Sequence, residues 1–357
     1  RMGAIVIGIA IGSVLAQWKI GPDEDVYSTV FLNTVGTGFG IGNILVLATP
    51  LILASLAVAI PYRLRLWNIG GEGQLYMGAW AAALVGFTLR GLPSPLLQIL
   101  MLLGAAVGGA LWILAPAILR AYLSVHEIVT TLLLNFVATF WTSYWLTGPW
   151  RPASSAGGVL HSDPLPANAL LPQISVGDVQ FHVGLFIAVL ITALLAWALS
   201  NTRLGFALQI MSSGERAARY AGIPVRRATI GVLLCSGALA GVAGAVEMMG
   251  DIHTFATSLS GGTGYTAIVV AVLAGGSLAA VVPFALMFGG LDTAALSLRV
   301  MGISNNAAFA LTGLILMLAA AAQVLAKYRL VKVASQPPAL NRLPAPGAEA
   351  AVTVPKR

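Results

Sequence analysis

The sequence predicts an all-α protein that crosses a membrane about ten times, and three observations predict it. Only 9% of the 357 residues are charged, 58% are hydrophobic, and mean hydropathy is +0.89. Soluble domains carry roughly 25% charge, so this chain lacks the polar surface to cover a water-soluble globule. Apolar runs also recur along almost the whole length. A hydrocarbon core about 30 Å thick takes about 20 helical residues per crossing, which fits roughly ten spans with short connections into this chain.

The runs fall at Gly3–Trp18, Ile41–Pro61, Leu66–Phe87, Leu96–Leu119, Ile128–Leu146, Val183–Leu199, Ile230–Met249, Tyr265–Val281, Val282–Leu298 and Ala307–Ala326. Pro283, between the eighth and ninth, leaves open whether two clean crossings or one broken hairpin lies there. An even number of spans puts both termini on one side. With the N-terminus cytoplasmic, fifteen of the 19 Lys and Arg fall inside, among them Arg63, Arg65, Arg120 and those between Arg203 and Arg227. Only Lys19, Arg90, Arg151 and Arg299 fall outside, the asymmetry that the positive-inside rule describes. The chain opens on Arg1-Met2 against an apolar run with no secretory-signal pattern, so the first span reads as retained, with a cytoplasmic stretch expected ahead of it.

The resulting organisation is a transmembrane domain over residues 1–326, with an external irregular loop at 148–181 and a basic cytoplasmic segment at 203–228 broken by Gly214, Gly222 and Pro224. The Pro-rich residues 327–357 read as a disordered cytoplasmic tail.

Several chemistries are excluded. Lys19, Lys327, Lys332 and Lys356 follow Trp, Ala, Val and Pro, so no phosphate-cradling G-K-[ST] loop exists. His126, His161, His182 and His253 form no metal-binding pair, and the lone Cys235 excludes a thiolate cluster. Ser236-Gly237 and Gly250-Asp251 each complete no intramembrane-protease motif. No catalytic residue, metal or cofactor is therefore expected in this chain.

Charges inside hydrocarbon cost several kcal/mol and mark a solute pathway or a packed polar contact. Four stand out: Glu72, Glu127, Glu247 and Asp292. Glu72 lies in Trp67-Asn68-Ile69-Gly70-Gly71-Glu72-Gly73-Gln74, whose glycines weaken a helix and predict a broken span at the centre of the bundle. That stretch reads either as a path lining or as an internal hydrogen-bond network. Glu127 reads as a hydrated acid at a helix start, with Asn135 two turns deeper on the same face. Glu247 and Asp292 read as interhelical contacts. The small-residue stretches Gly104–Gly109 and Gly237–Gly244 predict close helix packing, and they run in opposite directions, as an inverted repeat would arrange them.

Taken together, the motifs resemble the permease subunit of bacterial ATP-binding-cassette importers of the ribose and nucleoside type, those served by basic membrane lipoprotein receptors. Asn68-Ile69-Gly70-Gly71-Glu72-Gly73-Gln74 is similar to the family's N-I-G-A-E-G-Q, with Gly71 for Ala. His126-Glu127-Ile128-Val129-Thr130-Thr131 leading to Asn135 resembles its E-[IV]-x-x-T…N segment. Gly214-Glu215-Arg216-Ala217-Ala218-Arg219-Tyr220-Ala221-Gly222-Ile223 is similar to its G-x-x-x-A-A-x-x-x-G-I cytoplasmic loop, with Glu215 and Arg216 in place of the commoner Asn-containing pair.

The resemblance implies a passive pathway paired with a second, different permease in the inner membrane. Separate ATPase subunits would bind ATP and Mg, and a lipid-anchored solute receptor would sit outside. Gly214, Glu215, Arg216, Ala217, Ala218, Arg219, Gly222 and Ile223 would couple to the ATPase, and Trp67, Asn68, Glu72, Gln74 and Asn135 would line the path. The implied solute is a nucleoside, purine nucleosides included. The alternatives are ribose or another simple sugar within the same family, and, from a different class, an ion-coupled secondary transporter using Glu72, Asp292 or Glu247 as a relay.

Overall fold

The structure, a computed structural model, describes residues 26–152 and 159–300, together with Gly313 and Met317. The first and tenth predicted spans and the tail at 327–357 lie outside the described residues, those two single positions excepted.

A short helix α1 (Val26–Phe31) and a π-helical turn (Leu32–Gly36) lead into α2 (Gly38–Tyr62). Then follow α3 (Gly71–Thr88), α4 (Ser94–Leu123) and α5 (Glu127–Thr147). The segment after α5 contributes β1 (His161–Pro164) and a hairpin of β2 (Gln173–Val176) and β3 (Val179–His182). Beyond it come α6 (Gly184–Asn201), the short α7 (Arg203–Ser213) and α8 (Glu215–Tyr220), and α9 (Val225–Glu247) with a π-helical extension at Met248–Ile252. Strand β4 (Thr254–Ala256), α10 (Thr263–Leu273) and α11 (Leu278–Val300) complete the described part.

Among the described residues, five stretches are long and apolar enough to cross a membrane: Gly38–Tyr62, Ser94–Leu123, Gly184–Asn201, Val225–Ile252 and Leu278–Arg299. Among them α2 is the axis of the bundle. Every residue from Ala48 to Pro61 is buried, and a helix apolar on all sides belongs at the centre. Around it pack α9, α10, α11 and α6, while α3 and α4 close against α9.

Small residues set how closely these helices approach. A Cβ on Gly241 would overlap the Ala105 carbonyl, and one on Gly109 would overlap that of Gly237, so the two glycine stretches pack directly on each other. The register, Gly109 beside Gly237 and Ala105 beside Gly241, runs antiparallel, as the alternating span directions require. A further glycine contact, Gly78 against Gly241, brings α3 onto the same seam. Without apolar driving force between helices in lipid, such backbone proximity supplies dispersion and weak Cα–H···O contacts.

Three expectations change. The break in the eighth and ninth spans lies not at Pro283, which sits inside the continuous α11, but at Gly275 and Gly276, whose φ values are +63° and +75°. Pro283 removes one i→i−4 hydrogen bond, that to the Ala279 carbonyl, without ending the helix, whereas two left-handed residues in succession end a helix outright. The span beginning at Tyr265 is thus an 11-residue half-helix, too short to cross alone. Residues 148–181 hold regular structure among their described part: β1 pairs antiparallel with β4, and β2 with β3 around Gly177.

Candidate functional site

Leu66–Ile69 form no regular secondary structure, Gly70 is a turn, and the helix starts only at Gly71, as the glycine-rich sequence predicts. A helix start leaves backbone N–H groups without intrahelical partners, and here side chains from other helices meet them. Asn135 Oδ1 on α5 accepts from the Gly73 N–H at 2.9 Å, and its Nδ2 donates to the Ile69 carbonyl at 2.9 Å. Asn68 and Gln74 pair amide to amide at 2.8 and 2.9 Å, and Asn68 Oδ1 also accepts from the Gly70 N–H. Asn68 donates in addition to Ser236 Oγ on α9 at 2.7 Å, and that hydroxyl donates to the Ala57 carbonyl of α2. Four helices are thereby tied to one irregular stretch. Asn68, Gln74 and Asn135 are 1%, 1% and 3% exposed, so this part of the predicted set faces protein partners.

Glu127 corrects an expectation. It is 2% exposed rather than hydrated, and its Oε2 forms an ion pair with Arg120 Nε at 3.1 Å while its Oε1 accepts from the Trp67 N–H at 3.1 Å. The hydrophobic neighbourhood tolerates this carboxylate because both oxygens are engaged. Asp292 lies on an exposed face of α11, and the interhelical hydrogen bond there belongs instead to Thr293, which accepts from Asn43 Nδ2 at 3.1 Å. Glu247 is buried at the C-terminal end of α9.

Trp67 and Glu72 stay partly open. The Trp67 ring meets Tyr62 edge-on with centroids 5.1 Å apart. Glu72 Oε2 accepts from the Gly264 N–H at 2.9 Å, so the first turn of α3 meets the first turn of α10. Each of those helices follows an irregular stretch after a long span, α2 in one case and α9 in the other. The sequence did not reveal this meeting, nor Tyr265, 43% exposed and 3.4 Å from Asn135 Nδ2 through its hydroxyl. The available signal was the pair Gly261-Gly262 ahead of Thr263, which parallels Gly70-Gly71 ahead of Glu72. An aromatic cluster also escaped notice: Trp80, Trp145 and Trp150, with Trp145 and Trp150 centroids 4.8 Å apart.

The segment 203–228 folds as two short helices and the base of α9. The Thr202 side chain caps α7 through Gly205, Gly214 (φ +148°) breaks the chain, and Gly222 (φ +74°) ends α8. Within Glu215–Tyr220 only Ala218 is buried, and Tyr220 is 94% exposed. Arg219 and Glu215 pair at 2.6 Å in the open, a contact of little energetic weight. Gly214, Glu215, Arg216, Ala217, Ala218, Arg219, Gly222 and Ile223 therefore form one projecting knuckle, closed by the Ile223 N–H donating to the Ala218 carbonyl at 3.0 Å. Among the described residues no group of three His, Cys, Asp or Glu is placed to hold a metal.

Comparison with known proteins covers most of the chain. Residues 40–320 match the family described as branched-chain amino acid transport system / permease component. The chain is 37% identical over 281 residues to the glucose ABC transporter permease protein of Haloferax volcanii, covering 75% of this chain and 72% of that protein. It is 33% identical over 298 residues to the guanosine ABC transporter permease protein of Bacillus subtilis, covering 83% and 85%. To a nucleoside ABC transporter permease protein of Lactococcus lactis it is 29% identical over 299 residues, covering 82% of each. No solved structure matches it.

Proposed function

Because the chain belongs to the family of branched-chain amino acid transport system permease components, we propose that it forms part of the membrane pathway of an ATP-driven importer and that the solute is a nucleoside. Membership leaves the ion-coupled and protease readings without support. In this reading ATP and Mg are bound by separate ATPase subunits, a second and different permease completes the pathway, and a lipoprotein receptor delivers solute from outside. The protein lies in the bacterial inner membrane with both termini cytoplasmic, an orientation supported by its distribution of Arg and Lys.

One observation carries the coupling assignment. The knuckle at Glu215–Tyr220 projects with five of its six residues uncovered by the other described residues. A solvated hexapeptide helix gains little from its own hydrogen bonds, and insertion into a cleft of a partner would supply the packing it lacks. The solute path runs where Trp67, Glu72 and Tyr265 remain open, with Asn68, Gln74 and Asn135 fixing the backbone behind them. Aromatic faces beside a carboxylate suit a planar base and sugar hydroxyls.

The knuckle is tested in proteoliposomes holding the assembled transporter. Ala217→Trp combined with Ala221→Leu, both on the exposed side, should lower receptor-dependent uptake by about tenfold or more, the equivalent of one lost anchoring contact, with unchanged protein in the membrane. Uptake at the unsubstituted rate would overturn the assignment. The Haloferax volcanii relative favours a second reading, a simple sugar. Labelled guanosine uptake that excess glucose leaves unchanged supports the nucleoside; glucose uptake without guanosine uptake replaces it.

A further inference from the structure

A cavity of about 290 Å³ opens at the same end of the bundle as α7 and α8, between the α2–α3 link, the end of α4 and the start of α9. Its wall includes Arg65, Arg120 and Arg226, one from each of those three elements, with the hydroxyls of Ser124 and Thr229 and the carboxylate of Glu215. The charges do not balance. Glu215 is already paired with Arg219, and Arg120 spends its Nε on buried Glu127. Arg226 lies over the Tyr122 ring at 5.3 Å, and neither it nor Arg65 has a carboxylate partner among the described residues.

Arg65 also adopts φ +59°, a left-handed backbone that costs an L-residue with a long side chain about 1 kcal/mol or more. With Arg120 already paired to Glu127, Arg65 and Arg226 leave the cavity wall with positive charge that an anion would neutralise. Guanidinium forks match the oxygens of a phosphate group, and free hydroxyls add neutral donors beside them.

We propose that this cavity is a binding site for a phosphate-bearing anion, held by Arg65, Arg120 and Arg226. Its occupancy ties the base of the knuckle to the α2–α3 link that enters the polar network, so a bound anion stiffens the route between them. Two sources share the chemistry: the headgroup of an anionic lipid at the membrane surface, or a soluble phosphate. The reading above bears only on which leaflet the site faces.

The full chain, purified in a neutral detergent, is titrated with inorganic phosphate and separately with short-chain phosphatidylglycerol, short-chain phosphatidylcholine serving as the uncharged reference. Binding is read as a rise in melting temperature and as retained ligand in native mass spectra. Arg65→Asn with Arg226→Gln should weaken binding by about tenfold or more, because two charge-assisted contacts are lost. Asn accepts the left-handed backbone at position 65, so this variant keeps the fold. Arg203→Gln with Arg227→Gln removes the same charge outside the cavity and should leave affinity unchanged.

Phosphate binding identifies a soluble source, and binding of phosphatidylglycerol alone identifies the lipid; either supports the site if the cavity variant weakens it. Binding of neither, or equal binding by the cavity variant, overturns it. Since binding is read on the isolated chain and transport on the assembled machine, failure of one leaves the other standing.

Discussion

Asn135, 3% exposed, holds both the Gly73 N–H and the Ile69 carbonyl. Removing a partner from a buried group costs its desolvation without return, about 1 to 3 kcal/mol each. Asn135→Ala should therefore lower stability by about 2 to 4 kcal/mol, read as thermal unfolding of the purified protein. Asn201→Ala, which loses only an exposed bond to the Trp197 carbonyl, should shift it by no more than about 0.5 kcal/mol. Equal shifts would remove Asn135 from the network. The sequence identified Asn68, Gln74, Glu127 and Asn135 as unusual, because polar residues in apolar runs are conspicuous. Their partners were not legible. Asn68 meets Ser236 and Glu72 meets Gly264 across 168 and 192 residues of chain, separations at which local pattern carries no pairing information.

Helix seams were more legible than their partners. Small residues at spacings of three and four mark a helix face that others can approach, so Gly104–Gly109 and Gly237–Gly244 stood out, although not that each packs on the other. Adding one methyl at that seam separates two outcomes. Gly241→Ala drives a Cβ into the Ala105 backbone, where nothing can rotate away, and should destabilise by about 1 to 3 kcal/mol. Gly231→Ala, ten residues earlier on the same helix with open space at its Cβ, should be neutral or stabilise by up to about 1 kcal/mol, since Ala is the better helix former. Parallel melting curves of the two variants check both signs, and a neutral Gly241→Ala would mean that α4 and α9 are not in contact there. The α10–α11 boundary was misplaced for a related reason. Pro283 draws attention by chemistry, whereas Gly275-Gly276 lies in a run of small residues that reads equally as helix or turn until its φ angles are known.

The two ends of the molecule are built differently. One end carries Arg65, Arg120 and Arg226 and the projecting α7 and α8; the other is fastened by β1 with β4 and by the β2–β3 hairpin, whose last residue, His182, is 1% exposed. The His182 ring is enclosed by glycines: a Cβ on Gly250 would stand 2.7 Å from it, and neither ring nitrogen has a hydrogen-bond partner among the described residues. Burial, helped by His253 nearby, lowers its pKa from 6.5 to about 4. The ring is therefore neutral in the folded protein across a range where the unfolded chain binds a proton. Stability from this group is complete above about pH 6.5 and declines as pH falls toward 4, because protonation then favours the unfolded state. The depression corresponds to about 3 kcal/mol at most. Melting temperature measured from pH 7 to pH 4 should fall for the native chain and fall less for His182→Gln, which fills similar space without titrating there. Parallel curves for the two proteins would mean that the ring takes up a proton in the folded state as readily as in the unfolded chain, and the hairpin would then be held by something other than an apolar fit.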